Sequence, residues 1–242
     1  FNYKMDYGIL GVPLAVVHLL GLMRFDKVVV MTNTMSKQIR FFSRRTPLII
    51  GNFVDENALE KYRRSNQNTG EIKFIFVGSL SRRKRPWIIL RALSMLQKNG
   101  LDASLDIIGE GPFKAYLESE IYRLNLNDKV RLHGFLNSPY DLISKSDVMV
   151  LPSLSEGISR AALEALYLGI PSVLRSVDAN SQLILSGQNG ELFIDELSLV
   201  NAMTRACQIS RRKKLFLSSL IPKCFQQHYA TKQYLDLIKS SE

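Results

Sequence analysis

The chain has 242 residues, of which 46% are hydrophobic and 22% are charged. This composition is typical of a folded globular protein and argues against a disordered chain. The formal net charge of +10 indicates an anionic partner, such as a phosphorylated small molecule, a nucleic acid or an anionic membrane face. Two cysteines without metal-like spacing or a disulfide framework indicate a reducing, cytoplasmic compartment.

The first predicted element is an apolar helix over residues 8–23, in which His18 is the one polar side chain. The run is shorter than the roughly twenty residues of a membrane-spanning helix and lacks the features of a signal peptide. We therefore expect a buried helix, with a membrane-touching patch as the second interpretation. Because the chain starts at Phe1 and not at methionine, we also expect that an upstream segment has been removed.

Short apolar runs then alternate with longer amphipathic ones. The predicted strands are 27–31, 48–51, 72–78, 105–109, 130–134, 148–151, 172–174 and 192–194. The predicted helices are 85–98, 113–125, 140–144, 159–168 and 197–209. Continuously apolar strands are typical of a parallel sheet covered on both faces, and the alternation predicts an open, doubly wound α/β sheet. A polar stretch, 55–70, has the composition of a linker.

Three loops follow predicted strands and have chemistry suited to phosphate. The first begins at Gly78 and continues through serines to Lys84 at a helix start, where the helix dipole favours anions. The second is a tight turn at Gly109, and the third contains Glu156 and Gly157. Because ligands of such sheets bind at the carboxyl ends of the strands, the three loops together predict one site, although each alone is a weak signal.

Glu156 and Glu164 are the most informative pair, since they lie eight positions apart in a strand–loop–helix segment. Ser159 is the predicted N-cap of the helix, so Glu164 falls in its second turn among apolar residues. A buried carboxylate needs hydrogen-bond donors, and a vicinal diol such as a ribose supplies two. The alternatives are an ordinary helical ion pair of Glu164 with Arg160 and a solvated Glu156.

Several other site classes are excluded by missing motifs. The chain has no P-loop and no complete Gly-x-Gly-x-x-Gly, which argues against P-loop NTPases and dinucleotide oxidoreductases. It also has no Asp-x-Asp pair and no His/Cys cluster. We therefore predict no metal and no cofactor.

From residue 27 onward the sequence resembles the retaining GT-B glycosyltransferases of family 4 type, which include bacterial polysaccharide and lipid-linked sugar transferases. The most specific element is the Glu-x7-Glu pattern within Pro-Ser-Leu-Ser-Glu-Gly and Glu-Ala-Leu…Gly-Ile-Pro. Supporting elements are Phe-Val-Gly-Ser-Leu, Ile-Ile-Gly-Glu-Gly-Pro, Val-Arg-Leu-His-Gly-Phe and Ile-Gly-Asn-Phe-Val-Asp. The implied fold is a Rossmann-like, doubly wound C-terminal domain preceded by a remnant of a second Rossmann-like domain.

The resemblance implies the donor site residue by residue. The implied donor-binding residues are Gly78, Ser79, Arg82, Arg83, Lys84, Gly109, Leu132, Phe135, Glu156, Gly157, Ile158, Ser159 and Glu164. Lys84 would grip the diphosphate, Glu164 the ribose hydroxyls, and Glu156 would face the transferred sugar, so that Glu156 and Lys84 are the catalytic residues. Ser79 stands where the family often has arginine, and Arg82 or Arg83 would compensate.

The resemblance also implies domains and partners. The implied domains are 1–54, the acceptor-side remnant; 55–70, the linker; 71–222, the nucleotide-sugar-binding domain; and 223–242, a helix that returns toward the remnant. The chain would bind a UDP- or GDP-sugar, and its acceptor would be a glycan or lipid-linked sugar of cell-surface polysaccharide biosynthesis, with retention of configuration. It would lie at the inner face of the plasma membrane, self-associate through the apolar segment, and be unable to catalyse transfer alone.

Two rival functions remain open at this point. A nucleotide-sugar epimerase or a phosphorylase would use the same scaffold and diphosphate chemistry, although the residue patterns fit these enzymes less well. A basic nucleic-acid-binding domain would use residues 82–85 and 211–214, but aromatic residues are not interleaved with these runs. We therefore predict no nucleic-acid partner.

Overall fold

The computed structural model describes residues 8–43, 46–63, 70–177, 179–213 and 219–240. The strands of these residues are β1 (Val29–Val30), β2 (Leu48–Ile49), β3 (Ile72–Val77), β4 (Ala103–Ile108), β5 (Val130–Gly134), β6 (Val148–Leu151), β7 (Ser172–Arg175) and β8 (Gly190–Phe193). The helices are α1 (Gly11–Leu22), α2 (Asn33–Ser43), α3 (Glu56–Glu60), α4 (Trp87–Lys98), α5 (Lys114–Arg123), α6 (Tyr140–Ser144), α7 (Arg160–Tyr167), α8 (Asn180–Leu183), α9 (Glu196–Lys213) and α10 (Gln227–Lys239). Short 3-10 helices occupy Gly8–Leu10 and Lys223–Phe225.

Six strands form one parallel sheet in the order β5-β4-β3-β6-β7-β8. The strand order reverses between β3 and β6, since the chain first builds outward to β5 and then returns to the other side of β3. In doubly wound sheets this reversal opens a crevice at the carboxyl ends of the two central strands. The predicted α/β architecture is therefore confirmed, and the loops after β3 and β6 are the ones that flank the crevice.

The sheet is apolar because both of its faces are covered. All four residues of β6 are buried, α9 packs on β6, β7 and β8, and α7 packs on β6 and β7. Local signals set the limits of α7: the Ser159 side chain accepts a hydrogen bond from the Ala162 backbone N–H, and Gly169 follows the helix with a φ of +83°. The predicted N-cap and helix end are both confirmed.

The N-terminal segment has a much smaller framework. β1 and β2 form a separate two-stranded parallel sheet, and α2 lies between them in the chain. The prediction that the apolar run 8–23 forms a buried helix is half wrong. It does form α1, but Gly11 is the one buried residue of that helix, and Val17 is 68% exposed. The described residues simply place too few elements around α1 to cover it.

The segments before and after the six-stranded sheet contact each other. Within the predicted linker, Asp55 is the N-cap of α3: its side chain accepts from the Ala58 N–H at 3.0 Å, and Leu59 is buried. Linker residues 64–69 lie outside the described ones, so the domain boundary stays a prediction. In the C-terminal segment, Gln227 exchanges two hydrogen bonds with Glu56 at 2.7 and 3.0 Å.

The C-terminal helix α10 returns to the N-terminal segment. Lys27 Nζ donates to the Ser240 carbonyl oxygen at 3.1 Å and to the Ser240 hydroxyl at 2.8 Å. The ring of buried Phe225 lies so close to Gly51 that an added Cβ there would be 2.9 Å from Cδ1. Among the helices of the described residues, none is long and apolar enough to cross a membrane.

Candidate functional site: a cleft at the strand reversal

The loop after β3 places a lysine in the crevice between β3 and β6. Gly78 follows the strand, and the stem of Lys84 passes over it, since a Cβ at Gly78 would lie 3.6 Å from Lys84 Cε. The Lys84 ammonium forms an ion pair with Glu156 from the loop after β6. Both side chains are about nine-tenths buried, at 12% and 9% exposure. The two residues predicted to be catalytic are therefore in direct contact across the strand reversal.

Arg83 strengthens the connection between the same two loops. Its Nη1 donates to the Ser155 carbonyl oxygen at 3.0 Å and lies 3.8 Å from Glu156 Oε2. The backbone N–H of Leu154 donates to the Arg83 carbonyl oxygen at 2.8 Å. Glu156 consequently faces two cations, and the solvated-loop interpretation of this glutamate is wrong.

The loop after β4 supports the loop after β3 by close backbone contact. Gly109 has a φ of +139°, and a Cβ there would lie 1.9 Å from the Gly78 carbonyl oxygen. Gly111 makes a similar approach, at 2.5 Å from the Leu80 carbonyl oxygen. The N–H of Leu80 donates to the Glu110 carbonyl oxygen at 2.8 Å. Glycine is required at Gly109 because only the missing side chain allows the two loops to meet.

Glu164 lies on α7 and is 8% exposed. Burial raises the pKa of its carboxyl group above the ordinary value of 4.5, while the charge of Arg160 and the Tyr140 hydroxyl act in the opposite direction. That hydroxyl donates to Glu164 Oε1 at 3.5 Å, a long and weak bond. Arg160 makes no ion pair with Glu164 within 4.0 Å among the described residues, so the simple helical ion pair does not account for this carboxylate.

The start of the loop–helix segment borders the N-terminal part of the chain. A Cβ at Gly157 would lie 3.6 Å from Met35 Cε, and Asn52 Nδ2 donates to the Ile158 carbonyl oxygen at 3.4 Å. Ile158 and Ser159 are both buried. The backbone of this loop is thus held between the six-stranded sheet and the β1–α2–β2 unit.

The remaining predicted residues are spread along the rim. Phe135 is 69% exposed just beyond β5, Leu132 is half-buried and packs against the core, and Arg82 is exposed. Ser79 is exposed, with its hydroxyl 3.1 Å from that of Ser81. The structure thus brings the central pair together, while Ser79, Arg82 and Phe135 lie on the exposed rim.

The basic run 82–85 is not an open cationic patch. Arg83 and Lys84 face Glu156, and Arg85 Nη2 bonds Glu196 Oε1 at 3.1 Å. Arg82 is left as the member without an acidic partner among the described residues. Of the second run, Arg211 is exposed, and the side chains of 212–214 lie outside the described ones. Such pairing weakens the nucleic-acid interpretation.

Sequence reasoning missed two contributors to this cleft. Tyr140 reaches Glu164 from α6, and Ser155 offers its carbonyl oxygen to Arg83. No local pattern marks either residue, because each acts through a partner far away in sequence. His133 lies on β5 with its Nε2 2.6 Å from Asp106 Oδ1. Among the described residues, no group of three or more His, Cys, Asp or Glu side chains could hold a metal ion.

The chain is similar in sequence to known glycosyltransferases. The model of the family described as glycosyl transferases group 1 matches residues 58–214, more than half of the chain. In Escherichia coli, UDP-Gal:alpha-D-GlcNAc-diphosphoundecaprenol alpha-1,3-galactosyltransferase is 32% identical over 139 residues, which are 54% of this chain and 35% of the relative. The aligned parts span 25%, 35% and 31% of the first three curated relatives.

Solved structures give the same picture of the fold. The structure of Anabaena HepE in complex with UDP-glucose has a TM-score of 0.74 at 18% identity and covers 98% of this chain and 69% of that one. The lipopolysaccharide outer core galactosyltransferase WaaB has a TM-score of 0.73 at 20% identity, over 90% of this chain and 62% of that one. These likenesses confirm the predicted fold class, the GT-B type.

Proposed function

The chain belongs to the family of glycosyl transferases group 1. We propose that it binds a nucleotide-sugar donor, from which the sugar is transferred to a glycan or lipid-linked acceptor. The observation that carries this proposal is the contact of Lys84 with Glu156 at the strand reversal, with buried Glu164 on the helix that follows. In a nucleotide-sugar the diphosphate lies between the sugar and the ribose, so Lys84 would meet the diphosphate, Glu156 the sugar on one side of it and Glu164 the ribose on the other.

The diphosphate is assigned to Lys84 and to the loop before α7. A buried ion pair has a large desolvation cost, and the Lys84 ammonium has three N–H donors, so it can bind a diphosphate oxygen beside Glu156. Arg83 lies on the other oxygen of Glu156, so its charge remains available to the carboxylate when Lys84 turns to phosphate. The positive N-terminus of α7 adds a further favourable field. During transfer these groups would stabilise the charge that develops on the leaving diphosphate.

The ribose is assigned to Glu164. A carboxylate whose pKa is raised by burial lacks adequate donors, and the two hydroxyl groups of a ribose would supply them. Base recognition would fall to the rim at Leu132, Phe135 and Gly109. We propose a UDP-sugar ahead of a GDP-sugar, because the names of the E. coli relative and of the HepE complex specify UDP-sugars.

Retention of configuration, the absence of a metal and a role in cell-surface polysaccharide biosynthesis are further parts of the proposal. They rest on the resemblance of the Glu156–Glu164 segment to retaining enzymes. The E. coli relative is named for an acceptor attached to diphosphoundecaprenol, which supports a lipid-linked acceptor here. Because the chain spans about a third or less of its curated relatives, we propose that it carries the donor-binding half.

An anionic membrane face is the proposed partner of the N-terminal segment. Ile9, Val12 and Val17 are 93%, 60% and 68% exposed, and Phe41 and Phe42 of α2 add 81% and 61%. This exceeds the isolated apolar residues that ordinary protein surfaces carry. The same residues offer a route to self-association, and basic side chains nearby would favour anionic lipid at the inner face of the plasma membrane.

Titration calorimetry of the purified chain with UDP, GDP, ADP and TDP tests the donor site. We expect saturable binding of UDP and transfer only when the acceptor-side half is supplied. Failure of all four nucleotides to bind would overturn the donor-site proposal. Epimerised sugar and free UDP in the absence of any acceptor would favour the epimerase, and robust transfer by the chain alone would overturn the donor-half proposal.

A further inference from the structure

A second ion pair lies directly beside Lys84 and joins the loop after β3 to α9. Arg85 Nη2 donates to Glu196 Oε1 at 3.1 Å, and Glu196 is the first residue of α9. Arg91 of α4 approaches the other oxygen of Glu196 at 3.5 Å. Two consecutive residues of one loop therefore have different partners, since Lys84 binds Glu156 while Arg85 binds Glu196.

The backbone at Arg85 has an uncommon conformation. Its φ is +50°, and among the described residues Asn125 is the one other non-glycine residue with a positive φ. The left-handed region crowds Cβ against the backbone, and asparagine tolerates this better than arginine. A residue in that region needs contacts with its surroundings that offset the cost of this backbone conformation.

This conformation lets the chain turn between the two side chains. The N–H groups of Lys84 and Arg85 both donate to the Ser81 carbonyl oxygen at 3.1 Å, and α4 begins at Trp87. Relaxing Arg85 to an ordinary φ would rotate the peptide that joins it to Lys84. The position of the Lys84 ammonium in the cleft thus depends on what holds Arg85.

We propose that Glu196 is a positioning residue for donor binding. By holding the guanidinium of Arg85, it maintains the left-handed turn that directs Lys84 to the diphosphate. This inference rests on the proposed function, because it names a residue that supports the same donor site. Glu196 itself contacts neither Lys84 nor Glu156, and its side chain is 43% exposed, so its substitution should leave the core intact.

Calorimetry of Glu196→Gln with UDP and with uridine tests the proposal. We expect the affinity for UDP to fall roughly threefold, in line with a partly exposed ion pair, and the affinity for uridine to stay unchanged. The selectivity arises because Lys84 serves the diphosphate alone. Arg91→Gln is the matched control: it removes the other cation from Glu196 without touching the loop, and both affinities should remain at the wild-type values.

Rescue by glycine separates positioning from a general structural role. Arg85→Gly adopts a φ of +50° without strain, so it should bind UDP within about twofold of wild type, and adding Glu196→Gln should have no further effect. Equal losses for UDP and uridine, or a loss that persists in the Arg85→Gly background, would overturn the positioning role. Unchanged UDP binding by Glu196→Gln would overturn the positioning role and leave the donor-site proposal standing. A wild-type chain that binds no nucleotide would overturn both.

Discussion

The six-stranded sheet and the N-terminal two-stranded sheet are built from the same kind of sequence but have different surroundings. β6 and β2 are both short apolar strands in parallel pairs. All of β6 is buried, while Leu48 and Ile49 of β2 are both exposed. The difference lies in the number of neighbouring strands and helices. An apolar run therefore predicts the element, and the elements packed around it decide whether it is buried.

The largest expected effect comes from adding a methyl group at the carboxyl edge of the six-stranded sheet. Because a Cβ at Gly109 would lie 1.9 Å from the Gly78 carbonyl oxygen, the two loops would have to separate. We expect Gly109→Ala to lower the free energy of unfolding by about 3 kcal/mol and to abolish nucleotide binding, as measured by urea denaturation and calorimetry.

Gly21→Ala in α1 is the matched substitution in the open region. No heavy atom outside the immediate chain lies within 4 Å of the added Cβ, and alanine stabilises a helix by about 0.5–1 kcal/mol relative to glycine. We expect an unchanged or slightly higher free energy of unfolding. Similar losses at both positions would contradict the contrast between a closed and an open framework.

Glu164→Ala should weaken binding of UDP by about 1–3 kcal/mol, the range for hydrogen bonds to a charged group. The physical reason is the loss of the carboxylate assigned to the ribose hydroxyls. Arg160→Ala serves as the control, since it removes the nearby charge and keeps the carboxylate. If calorimetry of a folded Glu164→Ala variant gave wild-type affinity, the ribose assignment would be wrong.

The raised pKa of Glu164 gives a pH dependence of stability with a defined sign. The folded state holds the proton more tightly than the unfolded state, so this group makes the chain less stable as the pH rises from the ordinary value of 4.5 through the raised pKa. Glu164→Gln carries no titrating proton, and its stability relative to wild type should increase across that interval. Urea denaturation at a series of pH values measures the difference, and a parallel pH profile for both proteins would contradict it.

Lys84→Ala should weaken the binding of UDP by about 1–3 kcal/mol, the range for a hydrogen bond to a charged group, and leave the binding of uridine unaffected. The single variant also takes the Lys84 ammonium away from the buried Glu156 carboxylate, so Lys84→Ala with Glu156→Gln is the companion variant that removes this carboxylate charge. Equal losses for UDP and uridine in both variants would place Lys84 away from the diphosphate.

The smallest effect on folding is expected in the open region. Val17→Asp with Leu20→Asp changes exposed positions, so the free energy of unfolding should move by no more than about 0.5 kcal/mol. Sedimentation with anionic vesicles should nevertheless show a clear loss of binding, because two apolar contacts are replaced by negative charges. Met95→Asp, at an exposed apolar position of α4, should bind vesicles as wild type does. If the wild-type chain were monomeric, did not bind vesicles and behaved identically with and without detergent, the proposed membrane-binding and self-association role of these exposed residues would be wrong.

Much of the larger unit could be predicted because its signals are local. Each predicted strand has a counterpart, and the α7 cap at Ser159 follows from one side chain and the N–H it receives. The burial of α1 was predicted wrongly because burial is not a local property. An apolar composition indicates what a helix prefers to contact but not which elements surround it. The predicted linker also contains α3, whose short length left little periodicity to detect.

The sequence by itself determined the strands, the helix ends, the glycine turns and the two glutamates that mark the cleft. Only the tertiary structure decided which charges meet: Lys84 with Glu156, Arg85 with Glu196, and Tyr140 with Glu164. Propensities and caps act over a few neighbouring residues, whereas these contacts join loops and helices that are far apart in sequence. Lys84 meets Glu156 because β3 lies beside β6 in the sheet, while the other two contacts form because α9 packs on α4 and α6 packs on α7.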